Sequence, residues 1–557
     1  MIADTILTGG QVITCDAGFS IAEAVAVRDG RFLAVGDAAM VARHQGPETR
    51  VINLGGRAVM PGLIDGHAHM DREGLKTVFP SLSGARGIAA IQARIRDLAA
   101  ATPKGQWIVT MPIGEPPYYW DLPESLDERR WPTRAELDEA APDHPVYIKP
   151  IWGYWRHSLP LVSIANSRAL ALAGITRDTA DPVEGVEIQR DARGEPTGIF
   201  IENGYVPLVE LHFFRMAPGF TVAQRAKALP ASAMAYHQFG TTSVYEEHGV
   251  AAELLRAYQQ VHNAGKLTMR SHLVFSPDWR GAEAYDIGQL VESWAHWLAG
   301  RGLGDDMLRV SGIITEIGRT PDNALRAAAA PYTGWAGFNY DFGLERERAK
   351  AMLIACARNG IRAIGIWPNM LDLFAEVNEV VPIRDLRWVL GHISVLTREQ
   401  VHRIRDLGLV LTTHTNRYIY KEGHLLQARF NLPDEDAIAP LRWLDEAGVR
   451  FSLATDNVPT SLWHPIWQSV SRMSLRRQNQ VGATQALSRE RALRAATNDG
   501  AFLTMDEARK GSIEAGKLAD LAVLSDNPLT CPEIALRDIE AKLTMVGGAF
   551  VHVTPPD

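Results

Sequence analysis

Cysteine is scarce in this chain of 557 residues: there are three, Cys15, Cys356 and Cys531, far apart in sequence. That number and spacing exclude a disulfide framework and a thiolate zinc site, and they fit a reducing cytoplasm, the expected location. Long apolar runs are also missing. The opening "MIADTILTGG" has no basic leader, and no later stretch approaches the roughly 20 apolar residues of a membrane helix, so neither secretion nor membrane insertion is expected. Nor is there a surplus of positive charge: 57 Lys and Arg stand against 65 Asp and Glu, a net charge of −8. Nucleic acid and anionic membranes are therefore not expected partners. No G-x-S-x-G elbow and no phosphate loop occur, and the Gly-Gly pairs at 9 and 55 lack the spacing of a dinucleotide fingerprint and read as turns.

What the chain does have is the composition of a globular protein, 46% hydrophobic and 22% charged. Its length calls for a large domain with inserts or for two domains. Residues 1–58 read as short strands with alternating apolar positions and Gly-containing turns, and the far end, in "GSIEAGKLADLAVLS" and "KLTMVGGAFVHV", reads the same way. Both ends are expected to form one small β domain, from 1–58 and 512–557, around a central unit of 59–511.

In that central unit, strand and helix patterns alternate as in βα units. Strands are expected in "LIDGHAH" and over 241–247, 267–275, 308–316, 361–366, 386–392, 409–414 and 449–456, with amphipathic stretches such as "LERERAKAMLIACARNG" preceding several of them. Eight parallel strands are the count of a (β/α)8 TIM barrel, whose active site lies at the C-terminal strand ends. His67, His69, Glu316, His392, His414 and Asp456 fall at those ends. His67 and His69 in "VMPGLIDGHAHM" are two apart on a strand, so both point to one face and can reach one ion.

A segment of about 105–215 does not fit the repeat and reads as an insert after the first barrel strand. It is dense in aromatics: Trp107, Tyr118, Tyr119, Trp120, Trp131, Tyr147, Trp152, Tyr154 and Trp155. As a group they suit a wall for an apolar or aromatic substrate, with Trp152 and Trp155 the nominated contacts.

The ordered set "PGLIDGHAH", "GHISVLT", "LATDNVP", "AATNDGAFL" and "GSIEAGKLADLAVL" resembles the amidohydrolase superfamily of metal-dependent hydrolases. With "EPTGIFIE" and "NSRALALAGI" it resembles more closely the branch of the N-substituted formamide deformylases, amidohydrolase family 3, YtcJ-like. The resemblance covers nearly the whole chain. It implies a β-sandwich built from both ends around the barrel, and a divalent metal at the barrel mouth, with ligands corresponding to His67, His69, His392 and Asp456. Zn²⁺ suits imidazole and carboxylate ligands, and it lowers the pKa of bound water to about 7. Asp456 would take the proton from that water and deliver it to a leaving amine.

Two positions depart from the family pattern. Where a carboxylated lysine is often found on the fourth strand, alignment places Ile314, with Glu316 two residues on as the proposed substitute ligand. The fifth strand offers Arg362 where a histidine is usual, and arginine stays protonated. One metal per chain is expected rather than two, with Arg362 a fixed charge that polarises the substrate oxygen. His392 is either a ligand or a hydrogen-bond donor to the substrate. Glu246, His248, His272 and His414 are nominated as pocket residues from their places at strand ends, and His157 from the insert; of the adjacent pair Glu246 and Glu247 one should face inward, and which one depends on register.

The expected reaction is hydrolysis of a C–N bond in an N-substituted amide, formamide, carbamate or urea that carries an aromatic or bulky apolar group. Deamination of a ring amine and ester or lactone hydrolysis are open on the same site. A catalytically silent relative acting as a binding protein is the alternative of a different class. A small-molecule substrate and a homo-oligomer, dimer or higher, complete the expectation.

Overall fold

The computed structural model describes residues 1–115, 119, 121–151, 160–204, 206–279, 285–318, 325, 326, 328, 332–475 and 478–555. Eight strands stand in sequential order in one parallel sheet: Leu63–Asp65, Thr241–Val250, Arg270–Phe275, Leu308–Ile314, Ala363–Gly365, Val389–Leu390, Val410–Thr413 and Phe451–Leu453. They are called here the first to eighth barrel strands. Two backbone bonds bring the first and eighth together, Gly66 N to Leu453 O at 3.0 Å and Asp456 N to His67 O at 2.9 Å, which makes a nearly closed TIM-like barrel. Gly66 is required at that seam. A Cβ there would lie 2.6 Å from Ser452 Oγ and 3.0 Å from Leu453 O.

The helices that surround the barrel follow from spacing. Ala252–Asn263 buries Leu254, Ala257, Tyr258 and Val261, and Arg346–Arg358 buries Ala349, Met352, Leu353 and Cys356 among others. Both sets recur at i, i+3, i+4 and i+7, one helical face turned to the strands. Each fully buried Leu, Met or Val among them contributes about 1.5–3 kcal/mol. Cys356 therefore serves as core, and all three cysteines are free and buried.

Both chain ends meet in one mixed sheet. Ala58–Pro61 pairs in parallel with Thr5–Ile13 and antiparallel with Leu521–Leu524, so the last segment of the N-terminal part lies beside the first C-terminal strand. A buried bidentate pair ties this sheet to the barrel: Arg270 donates to Asp520 at 2.7 Å through Nε and at 2.8 Å through Nη2. Asp520 Oδ1 also accepts from Gly547 N at 2.8 Å. Removing one partner of a buried pair strands the other charge, so Asp520→Ala is expected to destabilise the fold by about 3–5 kcal/mol. A loss of unfolding free energy in denaturant titration of less than a quarter of that would mean that water replaces the carboxylate.

The insert forms its own sheet, with strands Val186–Arg190, Pro196–Glu202, Leu161–Ala165, Val146–Ile148 and Ile108–Thr110 in spatial order. Among the described residues no helix is long and apolar enough to cross a membrane.

Candidate metal centre

The first barrel strand ends at Asp65, and the chain continues through Gly66 so that His67 and His69 both enter the barrel mouth. Asp65 fixes this entry. Its Oδ1 accepts from His67 N at 3.1 Å and Thr455 N at 3.0 Å, and its Oδ2 from Thr455 Oγ1, which locks the first strand to the eighth. Burial pushes this carboxyl up to about 6, against the hydrogen bonds from Thr455.

His67 and His69 bring their Nε2 atoms to 3.1 Å. Asp456 Oδ1 lies 3.3 Å from His69 Nε2 and 3.9 Å from His67 Nε2, and Asp456 Oδ2 lies 3.6 Å from His414 Nδ1. The rings of His392 and His414 are 4.2 Å apart, and His414 is 4.4 Å from His67. Two triples bring one ligand atom each to a common point: His67 with His69 and His248, and His67 with His392 and His414.

The tautomer of His67 is set from behind. Its Nδ1 is in hydrogen-bond contact with Glu247 Oε2, and Thr412 Oγ1 lies 2.7 Å from both oxygens of that carboxylate. An Nδ1–H donated to Glu247 leaves the Nε2 lone pair directed at the cluster, the carboxylate–histidine arrangement that orients metal ligands. Gly391 is needed for the approach, because a Cβ there would lie 2.6 Å from Glu247 Oε2. Glu246, on the opposite face of the same strand, backs His69: its Oε1 accepts from Met70 N at 2.9 Å and Tyr258 OH at 3.2 Å, and its Oε2 is 3.9 Å from His69 Nδ1.

The electrostatics favour neutral imidazoles. Burial, and then the neighbouring histidines His414, His69 and His392, hold His67 well below the ordinary imidazole value. Burial and Arg72 push His69 down to about 4. Burial opposes ionisation of Asp456, yet the imidazoles of His414 and His69 hold its carboxyl well below the usual carboxylate range. Its side chain is 31% exposed, so substrate can reach it, while His67 is sealed. Converging lone pairs repel one another without a cation between them. Among the described residues, Nδ1 and Nε2 of His414 and Nε2 of His392 are buried with no hydrogen-bond partner. Buried imidazoles with unpartnered nitrogens beside an ionised carboxylate are the donor set of a divalent transition metal, and the residues present fit one. His392 and Asp456 have φ of 51° and 53°, a left-handed backbone that non-glycine residues adopt at a cost and that clusters at functional sites.

The model for the Amidohydrolase family, amidohydrolase family 3, matches residues 50–552. The chain belongs to this family. It is 26% identical over 578 residues to the N-substituted formamide deformylase of Arthrobacter pascens, covering 98% of each chain. It is also 26% identical over 595 residues to Protein LONG AFTER FAR-RED 3 of Arabidopsis thaliana, covering 99% of this chain and 92% of that one. Among solved structures, an uncharacterized metal-dependent hydrolase of Pyrococcus furiosus has the same fold, with a TM-score of 0.66 at 20% identity over 94% of this chain and all of that one. An adenosine deaminase of Xanthomonas campestris with bound zinc reaches a TM-score of 0.51 at 14% identity, covering 100% of this chain and 95% of that one. This amidohydrolase is thus a metal-dependent hydrolase with a histidine-rich metal site.

Of the residues nominated from sequence, His67, His69, His248, His392, His414, Asp456 and Glu246 come together at the mouth of the amidohydrolase barrel. Three others lie elsewhere. Arg362 precedes the fifth strand, at the barrel floor, where its Nη1 donates to Leu503 O at 2.6 Å; it cannot polarise a substrate oxygen from there. His272 pairs in register with Tyr245, two residues short of Glu247, and its Nε2 lies 2.5 Å from Ser311 Oγ in the same floor layer. Glu316 stands where the chain has left the barrel. It is half-buried on a two-stranded ribbon with Gly343–Leu344 and is absent from both histidine triples. Trp152, Trp155 and His157, with Tyr118, Trp120 and Tyr154, lie outside the described residues.

Several site residues were not legible beforehand. For Glu247, beside the nominated Glu246, the register that turns it to His67 was the missing part. Tyr418 OH is 3.3 Å from His392 Nδ1, the Trp367 ring is 4.9 Å from that of His392, and Phe338 stacks on His248 at 4.3 Å. Lys421 ends a π-helical turn, Asn416–Lys421, that follows His414, and burial pushes its amine down to about 7 against the attraction of Asp456. The one available signal was the aromatic-rich run "NRYIYK", which begins two residues after a strand-end histidine.

Proposed function

We propose that this amidohydrolase cleaves the C–N bond of an N-substituted amide, with formamides, carbamates and ureas as the substrate class and an aromatic or bulky apolar group on nitrogen. The observation that carries the reading is Asp456: a partly exposed carboxylate with Oδ1 on His69 and Oδ2 facing His414, next to converging imidazole nitrogens. A near full-length relative named as a formamide deformylase supports the bond type. The rings of Phe338 and Trp367 beside His248 and His392 support the aromatic substituent.

His67, His69 and Asp456 would hold one divalent metal, Zn²⁺ in our reading, with His248 or the pair His392 and His414 completing the set. When bound, the metal polarises the carbonyl and acidifies water. A single ion is favoured because both triples depend on the one free lone pair of His67, its Nδ1 being engaged with Glu247. Asp456 accepts a proton from the water that attacks the carbonyl carbon. It then passes that proton to the departing nitrogen as the C–N bond breaks, releasing an amine and an acid. Where His248 completes the metal set, His392 takes the other role: with Tyr418 donating to its Nδ1, the hydrogen stands on Nε2, and that N–H steadies the negative charge that develops on the carbonyl oxygen.

The test is turnover of N-benzyl and N-aryl formamides, acetamides and ureas by the metal-replete chain, before and after chelation. Amine release that chelation removes and metal restores is expected. A folded, metal-loaded chain that releases amine from none of them overturns the proposal.

A further inference from the structure

At the opposite end of the barrel from the metal centre, the interior carries more positive charge than it balances. Arg362 is 1% exposed and Arg309 6%. Asp506 serves three cations at once: Arg309, Arg301 at 2.5 Å and Lys510 at 3.7 Å. The nearby pairs Arg270–Asp520, Arg387–Glu507 and Arg509–Asp306 are balanced among themselves. Asp305, also at the cavity rim, is 2.9 Å from His262 Nε2. Arg301 is 44% exposed and meets solvent, which leaves three buried cations, Arg309, Lys510 and Arg362, to one carboxylate.

Arg362 has the least compensation. Its Nη1 donates to Leu503 O at 2.6 Å and Tyr245 OH at 3.4 Å, and its guanidinium lies 5.8 Å from the Tyr245 ring centre. Its Nε and Nη2, and Nε of Arg309, are buried without a hydrogen-bond partner among the described residues. A guanidinium does not shed its proton, and a buried charge without a partner is costly. His272 shares the layer, with Nδ1 3.5 Å from Arg309 Nη2. The two guanidiniums are anchored on adjacent carbonyls, Arg309 Nη2 donating to Thr504 O at 3.1 Å as Arg362 Nη1 does to Leu503 O, and a cavity of about 390 Å³ reaches the layer on the Arg309 side, though not as far as Arg362.

We propose that the barrel floor binds a small inorganic anion of halide size, held by Arg362 and Arg309. It supplies the missing negative charge and the acceptor for the orphaned N–H groups. The site also bears on the metal centre. Tyr245, which shares a hydrogen bond with Arg362, stands two residues before Glu247 on one strand, and Glu247 orients His67. Anion occupancy therefore steadies the strand that carries Glu247.

The probe is chloride. At constant ionic strength, replacing gluconate by chloride is expected to raise the unfolding temperature saturably, by about 1–3 °C, because chloride binds the native state alone. Arg362→Met is expected to abolish that response, and a bromide-soaked crystal of the unaltered protein should show an anomalous peak beside Arg362 and Arg309. Identical unfolding in the two salts, a chloride response that survives in Arg362→Met, or no bromide peak at the floor would each overturn the proposal. Should Arg362→Met fail to fold, the two measurements on the unaltered protein decide.

Discussion

Asp456→Asn is expected to lower kcat by about 10²–10⁴-fold while the protein stays folded. The carboxamide keeps the size of the side chain and one oxygen to face His69, but it cannot hold the proton that must travel from water to the leaving nitrogen. Its environment shows that the native group is ionised: the imidazoles of His69 and His414 hold it well below the usual carboxylate range although burial opposes this. Steady-state kinetics on the best amide of the panel, with metal content measured on the same preparation, separate this loss from loss of metal. A variant that keeps its metal and retains more than a tenth of kcat would move the proton transfer to another group, Lys421 being a buried candidate whose amine feels the charge of Asp456.

Glu247→Gln is expected to weaken metal binding by roughly 10–100-fold, the usual cost of losing a partner that orients a ligating histidine. Glutamine fills the same space beneath Gly391 and can still accept from Thr412, so the barrel should stand. What disappears is the negative charge that fixes the proton on His67 Nδ1 and directs Nε2 into the cluster. The measurement is competition with a chelator at fixed pH, since proton and metal compete for imidazole. Unchanged affinity would mean that His67 is oriented by the backbone alone, through Asp65 and the Asp456 N to His67 O bond.

The barrel was legible because its eight strands carry β-branched apolar runs separated by helices with apolar residues at helical spacing. His67 and His69 were legible because strand alternation places residues two apart on one face. The failures have local causes. The expected strand 361–366 already puts Arg362 near its N-terminal end, but the family pattern of a fifth-strand histidine overrides that placement; a residue before Ala363 lies at the floor, whereas His392 follows Leu390 at the mouth. Glu316 was placed on a strand that in fact stops at Ile314, after which the chain pairs with Gly343–Leu344. For Glu246 and Glu247 one carboxylate had to face inward, and the choice depended on register, which a one-residue slip reverses. Both proved to be used, one behind each of the two first-strand histidines.

The central claim, that the paired histidines of the first strand hold a metal ion that Asp456 serves, is tested most directly by anomalous diffraction at the zinc edge on zinc-loaded crystals. The account predicts one strong peak per chain, within bonding distance of Nε2 of both His67 and His69 and adjacent to Asp456. A barrel mouth without a peak, in crystals of protein that still hydrolyses amides, would contradict it.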